Sequence, residues 1–412
     1  MNTVMTPSNR FNLEAMTALA EHANGMIEEV RSTMLDPHTR KKPPTFTGAQ
    51  VARMAGIESK QMSYLARRGD LPGGTHLVNG GRRYFTLAEA RTYVQKLSGI
   101  PAKPTSARAA VIAVVNFKGG STKTSTTFNL AQGLTLRGRR VLIVDLDAQA
   151  SSTTLTGMIP PIEVGDDETA APLYYKVRPP SEMEPEGFTP PLTLEYAVQS
   201  TYWDGLDIVP AAPGLYNAEI LLPISSQNPD VQWWDVLNKA IEPLRDQYDY
   251  IIFDTAPALS YLAVNAVMAS DGLLMPIPPE TLDYASSVSF WTMLAETVAG
   301  LVARRGYEKD FAFMRVLLSK VDKAFSTSMV RDWIMSTYGQ YMLPVEVPKN
   351  MAGSLSAIKL GTVFDMEKSD VRGAGVGVGV ETYDKLRESY EKVCELIDHT
   401  VMSSVWKMED VQ

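Results

Sequence analysis

Cysteine occurs once in the 412 residues, at Cys394. One thiol closes no disulfide framework and builds no cysteine metal cluster, and it fits a reducing cytosol. The four histidines (His22, His38, His76 and His399) show no ligand spacing. No stretch reaches the roughly 18 uninterrupted apolar residues of a membrane span, so no spanning helix is expected. The N-terminus lacks a basic segment followed by an apolar run, which argues against a secretory signal and for a cytoplasmic protein. The chain ends Trp406-Lys-Met-Glu-Asp-Val-Gln412, with no basic amphipathic helix, so attachment to a membrane surface is not expected either.

What the chain does have is unevenly placed charge. The net −8 comes from 39 Lys/Arg against 47 Asp/Glu, yet residues 40–108 hold 13 basic and 3 acidic side chains. The remainder carries 26 against 44. A small, strongly basic block on an acidic protein implies a polyanion partner for that block alone.

The length allows two or three domains. Residues 11–35 set Met16, Leu19, Ala20, Ala23, Met26, Ile27, Val30 and Met34 at helical spacing, so segment 1–39 is expected to hold one amphipathic helix. A lone helix is marginal, and its apolar stripe must dock on its own chain or on a second copy. Segment 40–108 reads helix, turn, helix, glycine-rich ribbon, helix, then linker. Thr47 can cap a helix to about Met54, closed by Gly56. Ser59 can cap a second over 60–68, whose apolar Met62 and Leu65 leave Lys60, Gln61, Tyr64, Arg67 and Arg68 outward. Gly73-Gly74 through Gly80-Gly81 supports a hairpin or wing with Arg82 and Arg83 at its exit. Thr86-Leu-Ala-Glu89 is a capping box opening a helix to about Leu97.

From 109 to 412 strands alternate with helices, which predicts an α/β fold with a doubly wound, mainly parallel sheet. The strand candidates are 111–115, 141–144, 250–253, 272–276 and 315–318, apolar enough to be covered on both faces. An acidic, proline-rich stretch near 157–191 reads as a surface insertion. Residues 381–406 form a last amphipathic helix.

Residues 118–125, Lys-Gly-Gly-Ser-Thr-Lys-Thr-Ser, follow the first strand directly. A buried strand running into a glycine-rich turn that ends Lys-Thr is how a chain grips a polyphosphate. Backbone N–H groups of Gly119, Gly120, Ser121, Thr122 and the helix start at Ser125 face the anion. Lys123 reaches the outer phosphates, and the Thr124 hydroxyl has the position to ligate Mg²⁺. Asp145-Leu-Asp147 follows the second strand, where two carboxylates can hold hydrated Mg²⁺ and orient a water. Tyr250-Ile-Ile-Phe-Asp254 ends a third strand in an aspartate that holds magnesium through water. Lys118 is surplus to an ordinary phosphate loop.

The runs Val115-Asn-Phe-Lys-Gly-Gly-Ser-Thr-Lys-Thr-Ser, Asp145-Leu-Asp-Ala-Gln and Phe253-Asp-Thr-Ala-Pro resemble the ParA partition ATPases, of the deviant Walker A group of P-loop NTPases with MinD and the nitrogenase iron protein. The resemblance covers about 110–400. With a helix-turn-helix in front, the chain is similar to the larger plasmid type, including RepA of repABC replicons. The resemblance implies a homodimer closed by ATP, in which Lys118 crosses to the partner's phosphates. Asp147 would position the attacking water, with Asp145 beside it in the metal shell. It further implies non-specific attachment to nucleoid DNA, slow Mg²⁺-dependent hydrolysis stimulated by a ParB-like centromere-binding protein, and repression of the chain's own operon. Thr122 stands where the family has glycine, which leaves open a nucleotide-sensing repressor with negligible turnover.

Residues 47–84 also resemble a MerR-type winged helix. Its second helix would enter the major groove, Gln61 and the arginines reading base edges and the rest bonding phosphates, with Ser59 at its start. Arg82 and Arg83 would reach the backbone or minor groove. Arg304, Arg305, Lys359 and Arg372 are candidate contacts for non-specific DNA.

Overall fold

The computed structural model describes residues 12–34, 41–76, 82–175, 191–228, 230–307, 309–322, 324–349, 361–366 and 380–408. The chain divides into two compact units, residues 1–42 and 43–412. In the first, α1 (Leu13–Met34) starts where the Asn12 side chain accepts from the Ala15 N–H at 3.0 Å. Leu13, Met16, Leu19 and Met26 are exposed on it.

The second unit opens with the basic block: β1 (Phe46–Thr47), α2 (Gly48–Met54), α3 (Ser59–Arg68), β2 (Thr75–His76), β3 (Arg83–Phe85) and α4 (Leu87–Leu97). Thr47 with Gln50, and Thr86 with Glu89, form reciprocal capping boxes. The cap of α3 differs from expectation: Glu58 holds the N-cap position and Ser59 is the first helical residue. Gly69, at φ 89°, ends that helix in the left-handed conformation glycine adopts at no steric cost. The three short strands pair antiparallel in the order β1-β3-β2 over a core of Phe46, Val51, Met62, Phe85 and Tyr93. The distal glycines of the expected wing, Gly80-Gly81, lie outside the described residues.

The larger sheet runs in the order β11-β10-β9-β4-β8-β5-β7-β6. Its strands are β4 (Ala110–Val114), β5 (Val141–Leu146), β6 (Gln199–Ser200), β7 (Leu206–Val209), β8 (Tyr250–Thr255), β9 (Gly272–Ile277), β10 (Phe313–Val321) and β11 (Met342–Pro348). Every pair is parallel except β6 with β7. The five expected strands are present; β6, β7 and β11 were not anticipated. Two prolines disguise β11, and as an edge strand it tolerates them.

Alternation along β4 separates two cores. Ala110, Ile112 and Val114 face the layer of α5 (Lys123–Leu136) and the last helix α11 (Val380–Ser404), while Val111 and Ala113 face the other. Between them in the chain come α6 (Ser151–Leu155), α7 (Tyr216–Ser225), α8 (Tyr261–Ala269), α9 (Thr281–Arg305) and α10 (Phe325–Tyr338). Contrary to expectation, α9 is long and apolar enough to cross a membrane by length and composition. Its Asp283, Ser287, Phe290, Leu294 and Leu301 are buried on one stripe that packs on β9 and α10, while Leu282, Val288, Met293 and Val302 are exposed. The stretch 157–191 also differs from a simple surface insertion. Ala170, Ala171, Leu173 and Tyr174 are fully buried, and Asp166 accepts from the Gly214 N–H at 3.1 Å. Residues 176–190 lie outside the described residues.

The basic block shares one core with the sheet domain. Arg91 of α4 is buried and donates Nε to Thr135 O (3.0 Å) and Nη2 to Arg139 O (2.9 Å), with Nη1 on Asp204. Gln95 donates to Gly138 O at 2.9 Å. These acceptors lie at the C-terminal end of α5, where carbonyls lack intrahelical partners.

Candidate active site

β4, β8 and β5 are adjacent and parallel, so the segments after all three leave one edge of the sheet together. Register sets Asp254 opposite Val114 on one side and Asp145 on the other. The loop that leaves β4 is tied down by a residue the sequence reading passed over. Asn116 is buried, donates to Pro276 O at 2.8 Å, and accepts from the Lys118 N–H at 3.3 Å.

Along the loop, Gly119 and Gly120 leave open space where a Cβ would stand, and Gly120 has φ +76°. Thr122, at φ 69° and ψ 16°, holds the N-cap position of α5 without making a capping bond. Its Oγ1 is buried and without a partner. Ser121 and Lys123 are buried, Thr124 is half-buried and Ser125 exposed. The Lys123 ammonium donates to Lys118 O (3.2 Å) and reaches Ser121 Oγ (3.5 Å). Among the described residues no carboxylate lies within ion-pair distance of it. Burial lowers its pKa, against the pull of Asp254, Asp147 and Asp283 farther off.

Lys118 is bound in cis. Its ammonium contacts Asp283 in the first turn of α9 and lies 3.6 Å from Glu280 Oε2. Hydrogen bonding to Asp283 raises the lysine's pKa, whereas burial raises that of Asp283 more than Lys118 lowers it. The pair thus favours both charges; the cost lies in the burial of the Asp283 carboxylate, which Lys118 offsets only in part.

The two buried aspartates differ in what they do. Asp254 accepts from Ser152 Oγ (2.8 Å) and Thr127 Oγ1 (3.4 Å). Asp145, expected in the metal shell, is instead committed to its own turn. It accepts from Thr153 N (2.9 Å), Thr153 Oγ1 (2.8 Å) and Asp147 N (3.2 Å), and no part of it is exposed. Burial raises the pKa of both. Asp147 is half-exposed, its Oδ1 accepting from Gln149 N at 3.0 Å.

On the basic block, Ser59, Lys60, Gln61, Tyr64, Arg67 and Arg68 are all exposed on α3, with Arg68 paired to Asp70 at 2.6 Å. Arg82 is exposed as well. Arg83 is placed otherwise than expected. Its Nη1 donates to Ala66 O (2.9 Å) and Gly73 O (3.0 Å), so it caps the C-terminal end of α3 and holds the ribbon to it. Lys359 and Arg372 lie outside the described residues.

A glycine-rich loop between strand and helix at the carboxyl edge of a parallel sheet, with aspartates at neighbouring strand ends, defines the P-loop nucleotide-binding class. A family described as an AAA domain matches residues 109–299. A putative replication protein A of Rhizobium rhizogenes is 28% identical over 408 residues, covering 95% of this chain and 96% of that protein. The chromosome partitioning protein ParA of Myxococcus xanthus is 30% identical over 245 residues, covering 58% of this chain and 76% of that one. A solved structure called a partition protein superposes with TM-score 0.61 at 19% identity, covering 93% of this chain and 98% of the other. The chain belongs to the ParA family of partition ATPases.

Proposed function

We propose that this chain is a plasmid partition ATPase that takes ATP and Mg²⁺ in the crevice above β4, β8 and β5. The observation that carries the reading is the Lys123 ammonium, buried at the head of α5 with no carboxylate in ion-pair range among the described residues. A buried cation without a counter-charge is costly, and the phosphate chain of a nucleotide supplies one. The oxygen donors Thr124 and Asp254 suit a hard cation such as Mg²⁺.

In this reading the loop N–H groups of residues 119–125 bind and orient the phosphates, and Lys123 balances their charge. When bound, Mg²⁺ supplies charge neutralisation at the transferred phosphoryl group. Thr124 and Asp254 hold it. Asp147, the half-exposed carboxylate, orients the attacking water. Asp145 serves through the turn it locks, which fixes where Asp147 stands. Lys118 leaves Asp283 to reach the nucleotide of a second copy, so ATP closes a homodimer. That dimer attaches to nucleoid DNA without sequence preference, and a ParB-like partner stimulates hydrolysis and release. The exposed face of α3 and Arg82 read operator DNA as a winged helix, so the chain represses its own operon.

Phosphate release, measured with and without non-specific DNA and a ParB-like partner, tests this directly. Lys123→Ala is expected to abolish nucleotide binding. Asp147→Ala is expected to bind nucleotide and lose turnover by about 100-fold or more, the scale of a positioned acid–base group. The left-handed Thr122 favours a second reading, a nucleotide-sensing repressor with negligible turnover. That reading wins if operator binding responds to nucleotide and Asp147→Ala changes nothing.

A further inference from the structure

We propose that Lys320 is a positioning residue of the nucleotide site, its ammonium holding the Gly120 carbonyl so that the Ser121 N–H is presented to the phosphate chain. The inference rests on the reading of residues 118–125 as a phosphate loop.

Three observations converge on this lysine. β10 ends at the same edge of the sheet as β9 and β4, and its pairing with β11 shifts register between Leu318 and Val321. Such irregularities re-aim side chains, and they concentrate beside functional sites. Within that interval Lys320 adopts φ +52°, a left-handed conformation that a lysine takes only at a cost. Its ammonium then donates to Gly120 O at 2.7 Å, 200 residues away in the chain. An exposed lysine has many open rotamers, and among the described residues this one makes no ion pair. It lies on a loop carbonyl, at a backbone position that must be strained to place it there.

The chemistry follows from the peptide unit. In a trans peptide the carbonyl of residue 120 and the N–H of residue 121 point in opposite directions. A cation on the carbonyl fixes the peptide plane and polarises the amide, which strengthens the Ser121 N–H as a donor. Gly120, at φ +76°, has the freedom to turn this way and also to turn back. Lys123 holds the loop through Lys118 O and Ser121 Oγ; Lys320 takes the Gly120 carbonyl, one of the two between them. Lys320 touches the loop and not the reacting atoms, so it acts on binding equally before and during reaction.

The experiment titrates the full chain with fluorescent N-methylanthraniloyl-ADP in the presence of Mg²⁺. Lys320→Met keeps the apolar stem and removes the charge. Its dissociation constant is expected to rise about tenfold, the scale of one charge-assisted hydrogen bond. Lys320→Arg should stay within about threefold of the unsubstituted chain, since the guanidinium still donates. In phosphate release, KM should rise with kcat changed less than about twofold, the sign of lost uniform binding. The melting temperature without nucleotide should not move in either variant. Lys123→Ala, expected to lose the probe altogether, checks the site itself. Normal binding by Lys320→Met alongside loss in Lys123→Ala overturns the inference and leaves the site reading standing. Equal losses in the Met and Arg variants with a lowered melting temperature overturn it in favour of plain packing. Normal binding in all three overturns both.

Discussion

At the scale of single residues, Thr122 departs most from what the loop's geometry would favour. A β-branched side chain at φ 69° crowds its own backbone, at a cost of about 1–2 kcal/mol. The buried Oγ1 without a partner adds about 1 kcal/mol or more of desolvation. Thr122→Gly would remove both and give back about 0.5–1 kcal/mol in chain entropy. The balance favours glycine by about 1 kcal/mol, so urea unfolding of the nucleotide-free chain is expected to show a higher midpoint at unchanged slope. A lower midpoint would mean that the threonine is held by something its surroundings do not show. Strain kept at a phosphate loop has the character of function rather than stability, and the glycine variant is also expected to hydrolyse ATP faster.

At the scale of elements, α5 is gripped at both ends. Its first turn carries Lys123 and Thr124, and the carbonyls at and beyond its last turn receive Arg91 and Gln95 from the basic block. Arg91→Met would leave Thr135 O and Arg139 O without that donor and Asp204 without its cation. Asp204 is near half exposed and finds water, so the cost comes mainly from the buried carbonyl side. A loss of about 1–3 kcal/mol is expected, because Arg139 O is left without a donor while Thr135 O keeps the Gly138 N–H at 2.9 Å, read as a lowered urea midpoint. On the proposed reading, in which the basic block binds operator DNA, operator affinity should then respond less to nucleotide, because α5 no longer holds that block. A normal midpoint would show the contact to be incidental.

Elements of this kind were unequally legible in the amino-acid sequence. The phosphate loop and the strands over 110–114, 141–146 and 250–255 could be read because a fully buried parallel strand is an unbroken apolar run with a polar end. β7 and β11 could not: one is four residues with an aspartate inside, the other an edge strand with two prolines. Among the residues that meet at the strand ends, those expected there are the ones adjacent in the chain to the glycine-rich loop or to a strand end. Asn116, Asp283 and Lys320 were missed, because each gains its role from a neighbour more than 150 residues away. Arg83, expected to reach DNA, and Asp145, expected in the metal shell, instead bond groups of their own chain. Side-chain direction in a short ribbon or tight turn follows from tertiary packing, which local pattern does not encode.

At the scale of the molecule, the pairing of Lys118 with Asp283 sets a condition on the dimerisation proposed above. Lys118 is one-third exposed and Asp283 is 2% exposed. For the lysine to leave, the carboxylate must stay behind in a buried place with only the more distant pull of Lys320, a cost that closure with ATP must offset. On the proposed reading the single chain is therefore held in a resting form by the contacts of Lys118 with Asp283 and Glu280. Asp283→Asn keeps the shape, retains a weaker acceptor for the ammonium, and removes the stranded charge. In an Asp147→Ala background, where hydrolysis does not drain the complex, the substitution is expected to lower the dimer dissociation constant in ATP and Mg²⁺ by about tenfold, or about 1.4 kcal/mol. Sedimentation across a range of protein concentrations reads this directly. Without nucleotide both proteins should remain single chains through the sheet domain, because release of Lys118 gains nothing until a phosphate waits across the interface. Weaker association of the Asn variant would instead place the Asp283 carboxylate among the groups that hold the two copies together.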